Sequence, residues 1–253
     1  MKKNKILIVG NWKMNPENAE RAKQIFKEIK ATVKNLKNIK LVICPPFVYL
    51  SDLEKTSESK VILGAQDVFW EKSGSYTGEI SGGMLKKEGE GYVIVGHSER
   101  REMGEIDEMI AKKVSSAIKA GLKPILCIGE KTRDDHGEYL HFLRNQIINS
   151  LGKLSKKQLA KLVIAYEPVW AIGQEEAMKT EDIHITTIFI KKVLTEVFKD
   201  KAVLNIPILY GGSVSHLNAS EIIKAGEVQG LLVGRESLNA RKFGELLKEV
   251  DFI

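Results

Sequence analysis

The residue best placed for acid–base chemistry is Glu167, in the stretch Ala165-Tyr166-Glu167-Pro168-Val169-Trp170-Ala171-Ile172-Gly173. An apolar run, Leu162-Val163-Ile164-Ala165, delivers this carboxylate, and Pro168 follows it at once. Proline cannot donate to a sheet ladder, so the backbone leaves the sheet one residue after the acid. The next residues, Val169, Trp170, Ala171 and Ile172, are apolar although they read as a loop, and loops normally face water. A loop that closes over something has a reason to be apolar. An acid beside such a loop suits a general base with a lid; a surface glutamate with Trp170 packed on a neighbour suits these nine residues equally.

Stepping along the chain, short apolar runs recur at Ile6–Val9, Leu41–Ile43, Val61–Leu63, Tyr92–Val95, Ile125–Cys127, Leu162–Ala165, Ile206–Tyr210 and Leu231–Val233. Most are continuous rather than alternating, as parallel strands buried on both faces are. Helical periodicity lies between them. Ala22, Ile25, Phe26, Ile29 and Val33 share one face, as do Ile106, Met109, Ile110, Val114, Ala117 and Ile118 ahead of a capping Gly121, and Ile183, Thr187, Ile190, Val193, Leu194 and Val197. Strand–helix alternation implies right-handed βαβ units and one parallel sheet. Eight units in 253 residues suit a closed (β/α)8 barrel with outer helices, an α/β fold, better than an open sheet. With no linker or shift in composition, residues 1–253 read as one domain.

In such a barrel the functional groups gather at the C-terminal strand ends. Those ends read Asn11-Trp12-Lys13, Gln66-Asp67, His97-Ser98-Glu99, Cys127-Ile128-Gly129-Glu130, Glu167, Gly211-Gly212-Ser213 and Gly234-Arg235. An acid, an imidazole, an ammonium and two glycine-bearing turns therefore converge on one mouth. His97 alone reads equally as a satisfied structural histidine, and Lys13 alone as a solvated lysine.

The chain is 43% hydrophobic and 28% charged, which describes a globular protein. Its net charge of +6 admits a phosphorylated substrate, but the 39 Lys and Arg are scattered among 33 Asp and Glu rather than gathered in a basic block, and no recognition motif for nucleic acid is visible. Cys44 and Cys127 are the only cysteines, and their spacing fits neither a zinc site nor a disulfide framework. Ile6–Val9 is too short for a signal-peptide core, and no apolar stretch approaches the ~20 residues of a membrane span. A cytoplasmic protein without membrane association is expected.

Four blocks, Gly10-Asn11-Trp12-Lys13-Met14-Asn15, Gly96-His97-Ser98-Glu99-Arg100-Arg101, Ala165 to Gly173, and Tyr210-Gly211-Gly212-Ser213-Val214, closely resemble the triosephosphate isomerase family in order and spacing. The resemblance runs from residue 6 to about residue 243. It implies interconversion of dihydroxyacetone phosphate and D-glyceraldehyde 3-phosphate without cofactor or metal, the isomerase step of glycolysis and gluconeogenesis. By the family's known division of roles, Glu167 is the base and a neutral His97 the electrophile that polarises the carbonyl. Lys13 and Asn11 would stabilise the developing enediolate and bind substrate. Glu99 would hold Lys13, or else be a surface helix acid. Phosphate would lie on backbone N–H groups at Gly173, Ser213 and Gly234-Arg235. Pro168, Val169 and Trp170 belong to the lid, with Ile172 and Leu232 clamping over Glu167 to exclude water; both clamps read equally as barrel-rim packing. Cys127 reads as packing rather than a nucleophile.

The resemblance also implies a C2 homodimer through the Ser73–Glu79 loop, with Thr77 supporting Asn11 of the other chain, although a self-contained surface loop fits the same length. Two places depart from the family pattern. The lid continues Gln174-Glu175-Glu176-Ala177-Met178 rather than Thr-Gly-Lys-Thr-Ala, and Arg235 stands where a second glycine is usual, its guanidinium expected to turn to solvent or to Glu236. Two rivals are a different phosphate-binding barrel enzyme and a catalytically inactive barrel serving as an interaction protein. The first leaves the joint presence of Lys13, His97 and Glu167 unexplained, and the second has no motif to support it.

Overall fold

The computed structural model describes residues 5–55, 60–89, 91–134, 136–173 and 177–253. The eight apolar runs become eight strands: β1 (Ile6–Asn11), β2 (Ile39–Cys44), β3 (Val61–Ala65), β4 (Tyr92–Val95), β5 (Lys123–Ile128), β6 (Val163–Tyr166), β7 (Ile208–Tyr210) and β8 (Gly230–Val233). Each pairs in parallel with the next, and β8 closes on β1 with Leu7 opposite Gly230. Around this barrel run α1 (Ala19–Val33), α2 (Phe47–Glu54), α3 (Gly82–Lys87), α4 (Ser98–Glu102), α5 (Asp107–Ala120), α6 (Glu138–Leu151), α7 (Lys156–Leu159), α8 (Thr180–Phe198), α9 (Ala219–Ala225) and α10 (Ala240–Asp251).

The continuous apolar runs have a direct cause: alternate residues of every strand serve two cores. Leu7, Val9, Val42, Ile94, Ile125 and Leu209 fill the barrel interior. Their neighbours Ile8, Leu41, Val93, Leu126, Ile164 and Ile208 face outward and pack under the helices. The helical faces expected from the sequence are largely the buried ones, including Ile110, Val114, Ala117 and Ile118 of α5, whose C-cap Gly121 takes the left-handed conformation at φ 89°; Ile106, expected on the same face, is instead the exposed N-cap before that helix. β2, β5 and β8 begin one or two residues earlier than expected, and β6 and β7 later. The Leu162 N–H bonds Leu159 O and the Ile206 N–H bonds Val203 O, so each residue closes a helical turn before its strand begins.

The five-residue α4 carries the His97-Ser98-Glu99 block, and a helix of this length holds its place only through tertiary contacts. Arg101 Nε donates to Gly96 O at 2.8 Å, Nη2 to Cys127 O at 3.1 Å and Nη1 to Asp107 Oδ1 at 2.7 Å. Arg100 lies 3.0 Å from Asp67 and 2.6 Å from Glu105. Buried Lys113 of α5 completes the cluster, 2.7 Å from both Asp67 oxygens and also bonded to Glu105. Two cations and two anions thus pin α4 to the end of β3 and to α5. Burial still pushes the Asp67 carboxyl above its usual range, against the downward pull of Lys113 and Arg100.

Breaking such a cluster from one side leaves charges buried and unpaired. Lys113→Met should therefore lower stability by about 3 kcal/mol. Urea unfolding should give a lower midpoint with an unchanged slope; an unchanged midpoint would mean that Asp67 and Glu105 find water instead.

Candidate active site

Glu167 emerges one residue beyond β6 and is 2% exposed. Its backbone N–H continues the barrel ladder to Ile128 O at 2.8 Å, which fixes where the side chain starts. Two glycines make room for it. A Cβ at Gly129 would lie 1.7 Å from the Glu167 carbonyl oxygen, and one at Gly211 would lie 2.8 Å from Glu167 Cγ. The carboxylate meets two donors from the start of α4: the Ser98 N–H, at 3.3 Å from Oε2, and His97 Nε2, at 3.2 Å from Oε1.

His97 is the N-cap of α4, and its Nδ1 accepts the Glu99 N–H at 3.2 Å. An Nδ1 that accepts a backbone N–H holds a lone pair there, so the hydrogen-bond network assigns the ring proton to Nε2. The helix start thus orients the imidazole with its Nε2–H towards Glu167.

Lys13 has φ 53°, one of three non-glycine residues with positive φ among those described. Its N–H donates to Asn11 Oδ1 at 3.0 Å, and its carbonyl accepts Gln66 Nε2 at 2.8 Å. These bonds hold a backbone conformation that costs roughly 1 kcal/mol or more. Lys13 Nζ lies 2.7 Å from Glu99 Oε1, so Glu99 grips the lysine as expected, though half its side chain faces solvent.

These groups open on one cavity of about 470 Å3. Asn11, Lys13, His97, Glu99 and Glu167 line it, as do the expected anion-binding positions Gly173, Ser213, Gly234 and Arg235. Ile172 and Leu232 lie on its wall, whereas Pro168, Val169 and Trp170 do not. Those three begin the segment: Pro168 is buried, Val169–Ala171 is a 3-10 turn, and Val169 lines a second, smaller cavity. Gln174, Glu175 and Glu176 lie outside the described residues. Beyond them Met178 is buried, with its N–H bonded to Tyr210 Oη at 3.2 Å. Burial pushes the Tyr210 phenol up to about 12, so it stays protonated.

Arg235 has an exposed side chain and ordinary negative φ, and it opens a 3-10 turn over Arg235–Leu238. Its expected partner Glu236 is otherwise engaged, with Oε1 3.0 Å from His216 Nδ1. Among the described residues Arg235 forms no ion pair with Glu236, and it is exposed where it lines the cavity.

Several contributors escape a reading of residue types. Ser98 acts through its backbone N–H, and Gln66 through an amide on two carbonyls, Lys13 O and Cys44 O. Glu130 Oε1 accepts both the Tyr166 O–H and the Trp170 Nε1–H at 2.9 Å, while Val169 N–H bonds Glu130 O. A second carboxylate at a strand end next to Gly129 was the available signal for Glu130. Cys127 lies beside Glu167, and burial first, then the Glu167 charge, pushes its thiol well above the ordinary range, which suits packing and not nucleophilic attack.

Comparison with known proteins bears on this arrangement directly. The family model for triosephosphate isomerase matches residues 6–250. Triosephosphate isomerase from Geobacter metallireducens is 41% identical over 244 residues, covering 95% of this chain and 97% of that one. The enzyme from Dictyoglomus thermophilum is 42% identical over 245 residues, covering 96% and 98%. The crystal structure of triosephosphate isomerase from Bartonella henselae superposes with a TM-score of 0.85 at 33% identity, covering 97% of this chain and 98% of that one. A match over nearly the whole length, with the barrel closed in the same fold, leaves one assignment: the chain belongs to the triosephosphate isomerase family.

Proposed function

We propose that this chain interconverts dihydroxyacetone phosphate and D-glyceraldehyde 3-phosphate by proton transfer through an enediolate. The observation that carries the reading is the placement of Glu167 Oε1 3.2 Å from His97 Nε2 in a cavity that Lys13 also enters. Glu167 removes a proton from the hydroxymethyl carbon of the ketone. The C–H electron pair forms the new carbon–carbon double bond, and the carbonyl π pair moves onto its oxygen. His97 donates from Nε2 to that oxygen, while Lys13 places positive charge beside it. The hydroxyl proton leaves the terminal oxygen, the neighbouring oxygen becomes a hydroxyl, and Glu167 returns its proton to the central carbon to give the aldehyde. A carboxylate and a neutral imidazole sharing this work is the family's known pattern; the Glu99 N–H on Nδ1 supports the neutral ring in this chain.

Asn11 binds the same oxygens in this reading, Glu99 positions Lys13, and Ile172 and Leu232 shut water out when the Pro168–Gly173 segment closes. The phosphate rests on N–H groups at Gly173, Ser213, Gly234 and Arg235. One domain is the reading that eight strands in one closed barrel support. A cytoplasmic setting suits two buried cysteines that form no disulfide with each other.

The same proposal extends to a homodimer. The Ser73–Glu79 loop is largely exposed, and Tyr76 packs on Phe69 with ring centroids 4.7 Å apart while remaining 45% exposed. Met14, 95% exposed, and Val48, 80% exposed, follow the neighbouring strands β1 and β2. Exposed apolar groups on three adjoining strand-end loops suit a second copy of the chain, with Thr77 reaching Asn11 of the other protomer.

A coupled assay for glyceraldehyde 3-phosphate isomerisation tests the function. Glu167→Asp withdraws the acid by about 1 Å, and kcat should fall about 10²-fold while KM changes little. Near wild-type kcat in Glu167→Gln would sink the assignment of the base. Deleting Ser75-Tyr76-Thr77 should yield a monomer in sedimentation velocity with severely reduced kcat, because Asn11 and Lys13 lose their support. A fully active monomer would refute the dimer's role.

A further inference from the structure

The turns after β7 and β8, which are the proposed anion grip, are joined by a side-chain contact that the reaction does not explain. His216 lies in the β7 turn and Glu236 in the β8 turn, and His216 Nδ1 is 3.0 Å from Glu236 Oε1. A carboxylate only accepts, so Nδ1 carries the proton and donates. On the far side of the ring, Nε2 is 3.8 Å from Glu245 Oε2 of α10, and Arg241 Nε reaches the same carboxylate at 3.4 Å. Both members of the main pair are mostly buried, with side-chain exposures of 27% and 16%, so solvent screens their contact less than a surface pair.

Each end of this tie is rigidly connected to the grip. On the β7 side, Asn218 Oδ1 accepts the Ser215 N–H at 2.8 Å and Asn218 Nδ2 donates to Ser213 O at 3.3 Å. On the β8 side, the Ser237 N–H and Oγ–H both donate to Gly234 O, at 2.9 and 2.7 Å. Glu236 itself lines the cavity, next to Arg235. An unrestrained carboxylate on this wall could approach the place where a phosphate dianion would bind in the proposed reading, and like charges repel.

We propose that His216 is a positioning residue for substrate: it captures the Glu236 carboxylate, holds it back from the anion grip and so permits an acid on this wall. The inference rests on the isomerase reading and names a residue that reading leaves without a role. Removing His216 frees the carboxylate to oppose the dianion. Removing Glu236 as well takes the repulsion away.

The test is a double-mutant cycle read as KM for glyceraldehyde 3-phosphate and as inhibition by inorganic phosphate. His216→Ala should raise KM about fivefold, the size expected of one partly screened charge, with kcat within about twofold of wild type. Glu236→Ala should leave KM unchanged or lower it, and His216→Ala/Glu236→Ala should return to the Glu236→Ala value. The inhibition constant for phosphate should follow the same order. If His216→Ala fails to fold, His216→Leu, which keeps the bulk of the ring, takes its place in the cycle. An unchanged KM in the His216 variant overturns the proposal. So does a rise in KM in Glu236→Ala that the double variant shares, since that pattern belongs to a mechanical tie without charge control. Wild-type turnover is read first: its absence overturns the isomerase reading and this inference with it, whereas turnover with an unchanged His216→Ala overturns the inference alone.

Discussion

A carboxylate withdrawn from water must be met by donors, and the way Glu167 is met determines much of what surrounds it. Two of its contacts come from His97 and Ser98 at the start of α4, the Ser98 N–H lying 69 residues earlier in the chain, and the buried Cys127 thiol lies beside it as well. Barrel closure makes that meeting possible by setting the ends of β4 and β6 on one rim, with β5 between them. The donors are useful only if α4 stays in place, and five residues of helix cannot ensure that alone. Arg100, Arg101, Asp67, Glu105 and Lys113 supply the anchoring, at the cost of burying ions whose desolvation still dominates the Asp67 carboxyl. The glycines at 129 and 211 complete the arrangement, since any side chain at either would occupy space that Glu167 already takes.

The residues on either side of 174–176 are tied to the barrel, before them by the Trp170 indole on Glu130 and the Ser213 Oγ–H on Ala171 O, and after them by the Met178 N–H on Tyr210 Oη. Each tie is one hydrogen bond between one of these residues and a side chain of the barrel rim, and Ala171 and Met178 are buried as well, Met178 in the outer apolar core. Bonds of this kind are individually modest and exchangeable.

Much of this was legible in the sequence, for a physical reason. Strands buried on both faces must be short, apolar and punctuated, so the eight runs stand out, and the residue following each run falls on the active rim. Glu167, His97, Lys13 and Asn11 were found that way. Groups that act through the backbone or through partners distant in sequence were not, because no residue type announces them. Ser98 contributes an N–H that any residue but proline has, and Gln66 works on carbonyls. Lys113 did leave a trace: it falls between Ile110 and Val114 on the apolar face of α5, where a charge requires a buried partner. Glu236 misled in the opposite sense. Its adjacency to Arg235 suggested a local pair, while the fold gives its carboxylate to His216 from the neighbouring turn.

The placement of charge around the cavity separates arrival from grip. The chain carries a net charge of +6 spread over its surface, and Arg235 stands exposed at the mouth. Such charges raise the local concentration of an anion and hasten its encounter, and salt weakens them. Deeper in, Lys13 is held by Glu99, so its ammonium enters the cavity already paired and in one geometry. Backbone N–H groups at the turns carry no net charge and need no counter-ion when the site is empty. Under the proposed function, a site built this way would attract a small dianion from a distance and grip it with fixed dipoles. The exposed guanidinium of Arg235 therefore fits the outer task, and its N–H, in a turn of ordinary φ, the inner one.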